Sequence, residues 1–173
     1  MEKPEITEAI SLSYAEVNAW LGQQPLERFE KGPEGKWNTS EHLDHIIKTA
    51  QLITKALKYP KFILRYKFGK PNRPVRSRQE IIDRYKERLA NIPPGTTTPI
   101  KIQGYSESQK EMVMDKLEKA NLRLIDAINK WPEKKLDQFL LPHPLMGRMI
   151  VRELLIWHGY HNIHHLNILK DKY

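Results

Sequence analysis

The sequence predicts an all-α fold, a helical bundle with long crossover connections and a short extra helix or turn. Two observations carry that reading. Long segments place apolar residues at three- and four-residue spacing, the period of a helix buried along one face. Between them lie Pro- and Gly-bearing connections, two of them longer than a dozen residues, and little of the chain alternates as a strand would. Connections of that length are unlike the tight turns of an up-and-down bundle; they let helices cross over and commonly cover a site. At 173 residues, 39% hydrophobic and 29% charged, the chain 1–173 has the size of one domain with a substantial core.

The first helix is expected over about Thr7 to Leu21, where Ile10, Tyr14, Val17 and Leu21 share a face, and Gly22 and Pro25 end it. RFEKGPEGKW reads as a turn region. Asn38 before Glu41 forms a capping-box signature that opens a second helix, which runs to about Leu57 and stops before Pro60. Residues 58–78 follow as a basic connection, expected to be solvated. A further helix begins near Ser77, with Glu80 as its capping partner, carries Ile81, Ile82, Tyr85 and Leu89, and ends before Pro93-Pro94-Gly95. TTTPIKIQGY is read as irregular or extended. Ser106 with Gln109 opens a long helix to about Lys130, broken by Trp131-Pro132. LLPHPLMGRM is expected as a loop, and the last helix starts near Arg148 and runs almost to the C-terminus.

Composition narrows the function. The chain has no cysteine, which excludes disulfides, a thiolate nucleophile and thiolate zinc sites. No apolar run approaches the roughly 18 residues of a membrane span, and the N-terminus lacks the apolar core of a secretory signal. A cytoplasmic protein with no membrane partner is the expectation. The net charge of +8 resides wholly in 58–78, which holds eight Lys and Arg and no acid. That segment supports one alternative function, a non-catalytic bundle that binds a small anionic ligand or an acidic partner. No nucleic-acid-binding motif accompanies it, so nucleic acid is not an expected partner.

Histidine carries the sharper signal. Four of the seven histidines fall in WHGYHNIHHL, residues 157–166. On a helical wheel, His158, His161 and His165 lie near the middle of the apolar face made by Ile150, Val151, Leu154, Trp157, Ile168 and Leu169, while His164 lies toward the edge beside Glu153. A buried imidazole needs partners for one donor and one acceptor, so three on one apolar stripe call for a reason. His161 and His165, one turn apart, can direct two ring nitrogens at one ion, at about 2.0–2.1 Å for zinc. His158 and His161 could also pair, but His158 and His165 are separated by roughly 10 Å of helical rise. A third ligand must come from elsewhere, and EHLDHI offers His42 and His45. The polar arc of Asp44, Lys48, Gln51 and Lys55 leaves His42 on the apolar side and His45 just past the polar edge, so periodicity slightly favours His42.

Trp37-Asn-Thr-Ser-Glu41-His-Leu-Asp-His45 resembles the first histidine motif of the DinB-like superfamily, and His161-Asn-Ile-His164-His165-Leu166 resembles that superfamily's motif in the last helix. HPLMGRMIVRELL is similar to the segment that leads into it. The resemblance implies a four-helix bundle, often a homodimer, with His45, His161 and His165 holding a divalent nickel or zinc ion. It places His42, His158 and His164 beside the ligands or at the surface. It implies a metal-dependent enzyme, a transferase using a low-molecular-weight thiol or a hydrolase acting on a small molecule. Glu41 and Glu153 are the carboxylates that could orient a ligand ring or move a proton; for Glu41, capping its helix is the favoured reading.

Overall fold

In the computed structural model, which describes residues 1–93 and 95–172, the chain forms α1 (Lys3–Gly22), α2 (Glu27–Glu30), α3 (Thr39–Leu57), α4 (Lys61–Phe68), α5 (Arg78–Ala90), α6 (Lys110–Asn129) and α7 (Val151–Lys172). A hairpin of β1 (Leu140–His143) and β2 (Gly147–Ile150) precedes α7. Pro94, inside the expected stop after the Ser77 helix, and Tyr173 lie outside the described residues.

The four long helices α1, α3, α6 and α7 make the bundle. Helix α6 packs on both α3 and α1, α1 packs on α7, and α7 meets α3 along a thinner seam, with α5 laid on the outside of α7. Ile10, Tyr14, Leu43, Ile46, Leu117, Leu124, Leu155 and Leu166 fill the centre, each at most 2% exposed. Each such side chain contributes about 1.5–3 kcal/mol by leaving water.

Helix ends follow the capping chemistry. The Asn38 side chain accepts the Glu41 N–H at 2.9 Å, and the Glu41 carboxylate accepts the Asn38 N–H at 2.8 Å. Ser77 and Glu80 reciprocate in the same way at the start of α5. Helix α1 begins earlier than the expected Thr7. The Glu5 carboxylate takes the Glu2 N–H at 2.6 Å and Pro4 suits a first turn, so the acids near the N-terminus extend the helix.

Two connections differ from expectation. LLPHPLMGRM is an antiparallel hairpin, not a loop, with Leu141 opposite Met149 and His143 opposite Gly147. A two-stranded ribbon is all edge, so Pro142 costs it no essential hydrogen bond, and Gly147 supplies the positive φ of +72° that the turn requires. The basic segment is not simply solvated. Leu64 of α4 is buried, the Lys61 ammonium sits 3.6 Å from the Trp131 ring centre, and the Arg65 guanidinium lies 4.8 Å from that of Phe139. Beyond α4, the strap 69–77 is fastened to α7 through Arg73 and Arg76. TTTPIKIQGY is irregular, as expected, and is tied to α3: Asp44 accepts from Gln103 N at 2.8 Å and from the Tyr105 hydroxyl at 3.0 Å. Among the described residues, no helix is long and apolar enough to cross a membrane.

Candidate metal centre

The seam between α3 and α7 is filled by imidazoles. His161 and His165 stand one turn apart on α7, and His45 faces them from α3. The Nε2 atom of His161 lies 3.2 Å from Nε2 of His45 and 3.0 Å from Nε2 of His165. These three residues form a group whose ring nitrogens could hold one metal ion. All are buried, His161 at 2% exposure.

The protein alone satisfies this arrangement poorly. Each imidazole nitrogen carries either one proton or one lone pair, so Nε2 of His161 can make a good hydrogen bond with only one of its two neighbours. Protonating the rings would not help, because burial holds them neutral. His45 is lowered to about 4 by its burial, against the opposing pull of Asp44, and burial together with neighbouring rings sets His161 and His165 well below the ordinary 6.5. Moreover, Nδ1 of His45 and Nδ1 of His161 are buried without a hydrogen-bond partner among the described residues. A cation fits the donor set. Nitrogens about 2.0–2.1 Å from one ion, at tetrahedral or octahedral angles, stand about 3 Å apart. Nε2 of His161 already keeps that spacing from both its neighbours, and all three donors lie within 4.8 Å of one another.

His42 resolves the question that periodicity left open. Both α3 histidines are buried, at 6% and 9% exposure, so burial does not separate them. Geometry does: His42 reaches not the shared point but the far side of His165, Nδ1 to Nδ1 at 2.9 Å. If His165 donates that proton, its Nε2 bears the lone pair facing His161, the tautomer a ligand requires.

The other expected residues have distinct surroundings. His158 is turned toward α1, where its Nε2 is 3.0 Å from the Tyr14 hydroxyl. His164 is half-buried against Tyr85, Tyr160 and His165. Glu41 is engaged in its capping box. Glu153, fully buried, accepts from both terminal nitrogens of Arg73 at 2.5 and 2.6 Å and from Arg76 N at 2.8 Å. Burial alone would raise its pKa, but those hydrogen bonds outweigh burial and hold it below the usual carboxylate range. The structure thus brings the three expected ligands and His42 together and gives both carboxylates other partners.

Three aromatic neighbours complete the surroundings. Trp37 does more than steady the start of α3, since its ring centre lies 5.4, 5.1 and 6.3 Å from those of His42, His45 and His165. Tyr85 presents its edge or face to His161, His164 and His143. His143 carries no helical-spacing signal and is brought in by the hairpin. Its Nδ1 accepts the N–H groups of Leu145 and Met146 at 3.0 Å, and its ring stands 4.2 Å from that of Trp157, which packs on His161. The only hint in the sequence is a His-Pro pair ahead of a turn glycine.

The family model for the DinB superfamily matches residues 9–169. Among solved structures, the crystal structure of TT2238, a four-helix bundle protein, is similar to 97% of this chain and 98% of its own, with a TM-score of 0.61 at 16% identity. At that identity the likeness speaks for the fold. No curated protein matches.

Proposed function

The chain belongs to the DinB superfamily, and from that premise we propose a metal-dependent enzyme with nickel or zinc held by His45, His161 and His165. Its activity in this reading is transfer of a low-molecular-weight thiol or hydrolysis of a small molecule, and a homodimer is its assembly. The observation that carries the reading is that Nε2 of His161 lies 3.0–3.2 Å from Nε2 of both His45 and His165, on buried rings that burial keeps neutral. Three protein donors would leave a position open on an ion held there, and the ion would supply Lewis acidity that lowers the pKa of a water or thiol toward neutrality.

The chain's own residues prepare that position. Neutral imidazoles offer lone pairs without first losing a proton. In the tautomer a ligand requires, His165 donates its Nδ1 proton to Nδ1 of His42, 2.9 Å away, and that bond aims the ring. Trp37 and Tyr85 flank the rings and restrict water. Glu41 and Glu153 act in architecture rather than proton transfer, because a helix cap and two arginines engage their carboxylates.

Metal content decides this reading. Protein purified without a histidine tag is expected to carry about one transition-metal ion per chain, and His161→Ala to carry none. Absence of metal from the unmodified chain, even after reconstitution with nickel or zinc, overturns it. With the loaded protein, a thiol-plus-electrophile assay and an ester or amide hydrolysis assay separate the two activities.

A further inference from the structure

The cations of the basic segment are divided by the fold. Arg73 and Arg76 are paired with Glu153, and Lys61 and Arg65 lie over the rings of Trp131 and Phe139. Lys58, Lys67 and Lys70 remain exposed, on and beside α4, and Arg78 is exposed at the start of α5. Among them stand the most exposed aromatic residues of the described chain: Phe62 at 75% and Tyr66 at 90%, with Tyr59 at 43% just before the helix. Phe62 and Tyr66 are one turn apart and share a face. The opposite face is anchored by Leu64, so the aromatic tips are held out by a packed helix. Large apolar side chains this exposed, in a segment that carries only one sign of charge, mark a contact surface.

From this arrangement we propose that α4 docks the protein on an anionic lipid bilayer, with Phe62 and Tyr66 inserted at headgroup depth and Lys58, Lys67 and Lys70 against the lipid phosphates. The occupant follows from exposure and charge. No nucleic-acid-binding motif or basic groove accompanies these rings among the described residues, whereas rings 75% and 90% exposed on a short helix beside lysines suit the boundary between headgroups and acyl chains. A second copy of the same face would bring like charges together, since residues 58–78 contain no acid. Lysines around inserted aromatics match the negative potential of an anionic leaflet. Contact is peripheral, consistent with the absence of a spanning helix among the described residues. It revises the expectation of no membrane partner, which rested on the lack of a span, and is independent of the metal centre.

The test is vesicle co-sedimentation of the full chain. Binding is expected to phosphatidylcholine vesicles containing phosphatidylglycerol and not to phosphatidylcholine alone, and to weaken as salt rises. Phe62→Ser with Tyr66→Ser should weaken it about tenfold or more. Replacing Lys58, Lys67 and Lys70 by Gln should flatten the salt dependence. Far-UV circular dichroism checks that these surface changes leave the helices intact, and Phe62→Trp gives a second readout, a blue shift of its emission on anionic vesicles. No binding to anionic vesicles, or binding indifferent to the aromatic substitutions, overturns the proposal. So does capture of a single-stranded oligonucleotide without vesicle binding, or self-association abolished by Phe62→Ser without vesicle binding.

Discussion

Helix α7 carries two buried polar clusters that solve the same problem in opposite ways. Near its start, Glu153 is fully buried and completed from within the chain by the Arg73 guanidinium and the Arg76 backbone. Two to three turns on, His161 and His165 meet His45, and two of the ring nitrogens lack hydrogen-bond partners among the described residues. Buried polar groups in folded proteins are nearly always satisfied. The closed cluster is therefore structure, and the open one is where a ligand from outside would complete the chemistry.

Acid separates the two clusters most strongly. Burial lowers His45 and His143 to about 4 and His158 to about 3, and His161 and His165 also lie well below 6.5. Above pH 6.5 these rings are neutral in both folded and unfolded chains. As pH falls below 6.5, the unfolded chain takes up protons that the folded one refuses, so stability drops by about 1.4 kcal/mol per ring for each pH unit until the folded pKa is reached. Summed over His45, His143 and His158 alone, that loss rivals the whole stability of an ordinary domain, about 5–15 kcal/mol, and His161 and His165 add to it in the same direction. Metal-free protein is expected to unfold between pH 6.5 and about 4, and zinc should move the midpoint lower. Glu153 has the depressed pKa of a paired acid, so its contribution is intact above pH 4.5 and is lost only below it. Denaturation followed against pH, with and without zinc, would sink this contrast if no loss appeared until below pH 4.5.

Arg73→Ala breaks the closed cluster alone. It leaves the fully buried Glu153 carboxylate short of its bidentate partner, a loss of about 3 kcal/mol or more by urea denaturation. Metal content should not change. Loss of metal with little loss of stability would mean that the two clusters are not separate.

His42 sharpens the open cluster from within, with a smaller effect. His42→Leu removes the acceptor for His165 Nδ1 and should weaken metal affinity about 10- to 100-fold. His42→Gln keeps an acceptor and should recover part of the difference, which a purely steric role would not allow. Competition with a chromophoric chelator measures both variants.

Much of the architecture was legible because it is local. Asn38 with Glu41 and Ser77 with Glu80 announce helix starts within four residues, and the spacing of Ile10, Tyr14 and Val17 gives the buried face of α1. The α7 histidine pair was legible for the same reason. What was hidden depends on distant partners: Glu153 meets Arg73 across 80 positions, and His143 reaches the site through a hairpin register. The choice between His42 and His45 was hidden in a third way. Amphipathic periodicity reports burial, and both are buried; what distinguishes them is which ring nitrogen each can reach.

The thin seam between α3 and α7 has a consequence for how the bundle comes together. Three sides of the ring close by interlocking aliphatic side chains, which attract one another wherever water is present. The fourth closes through His45 and His161, 116 positions apart, whose nitrogens have little intrinsic reason to approach. That side behaves as a clasp rather than a weld. Its firmness is set by the medium around the protein, and it is the side of the bundle that responds first when the acidity or metal content of that medium changes.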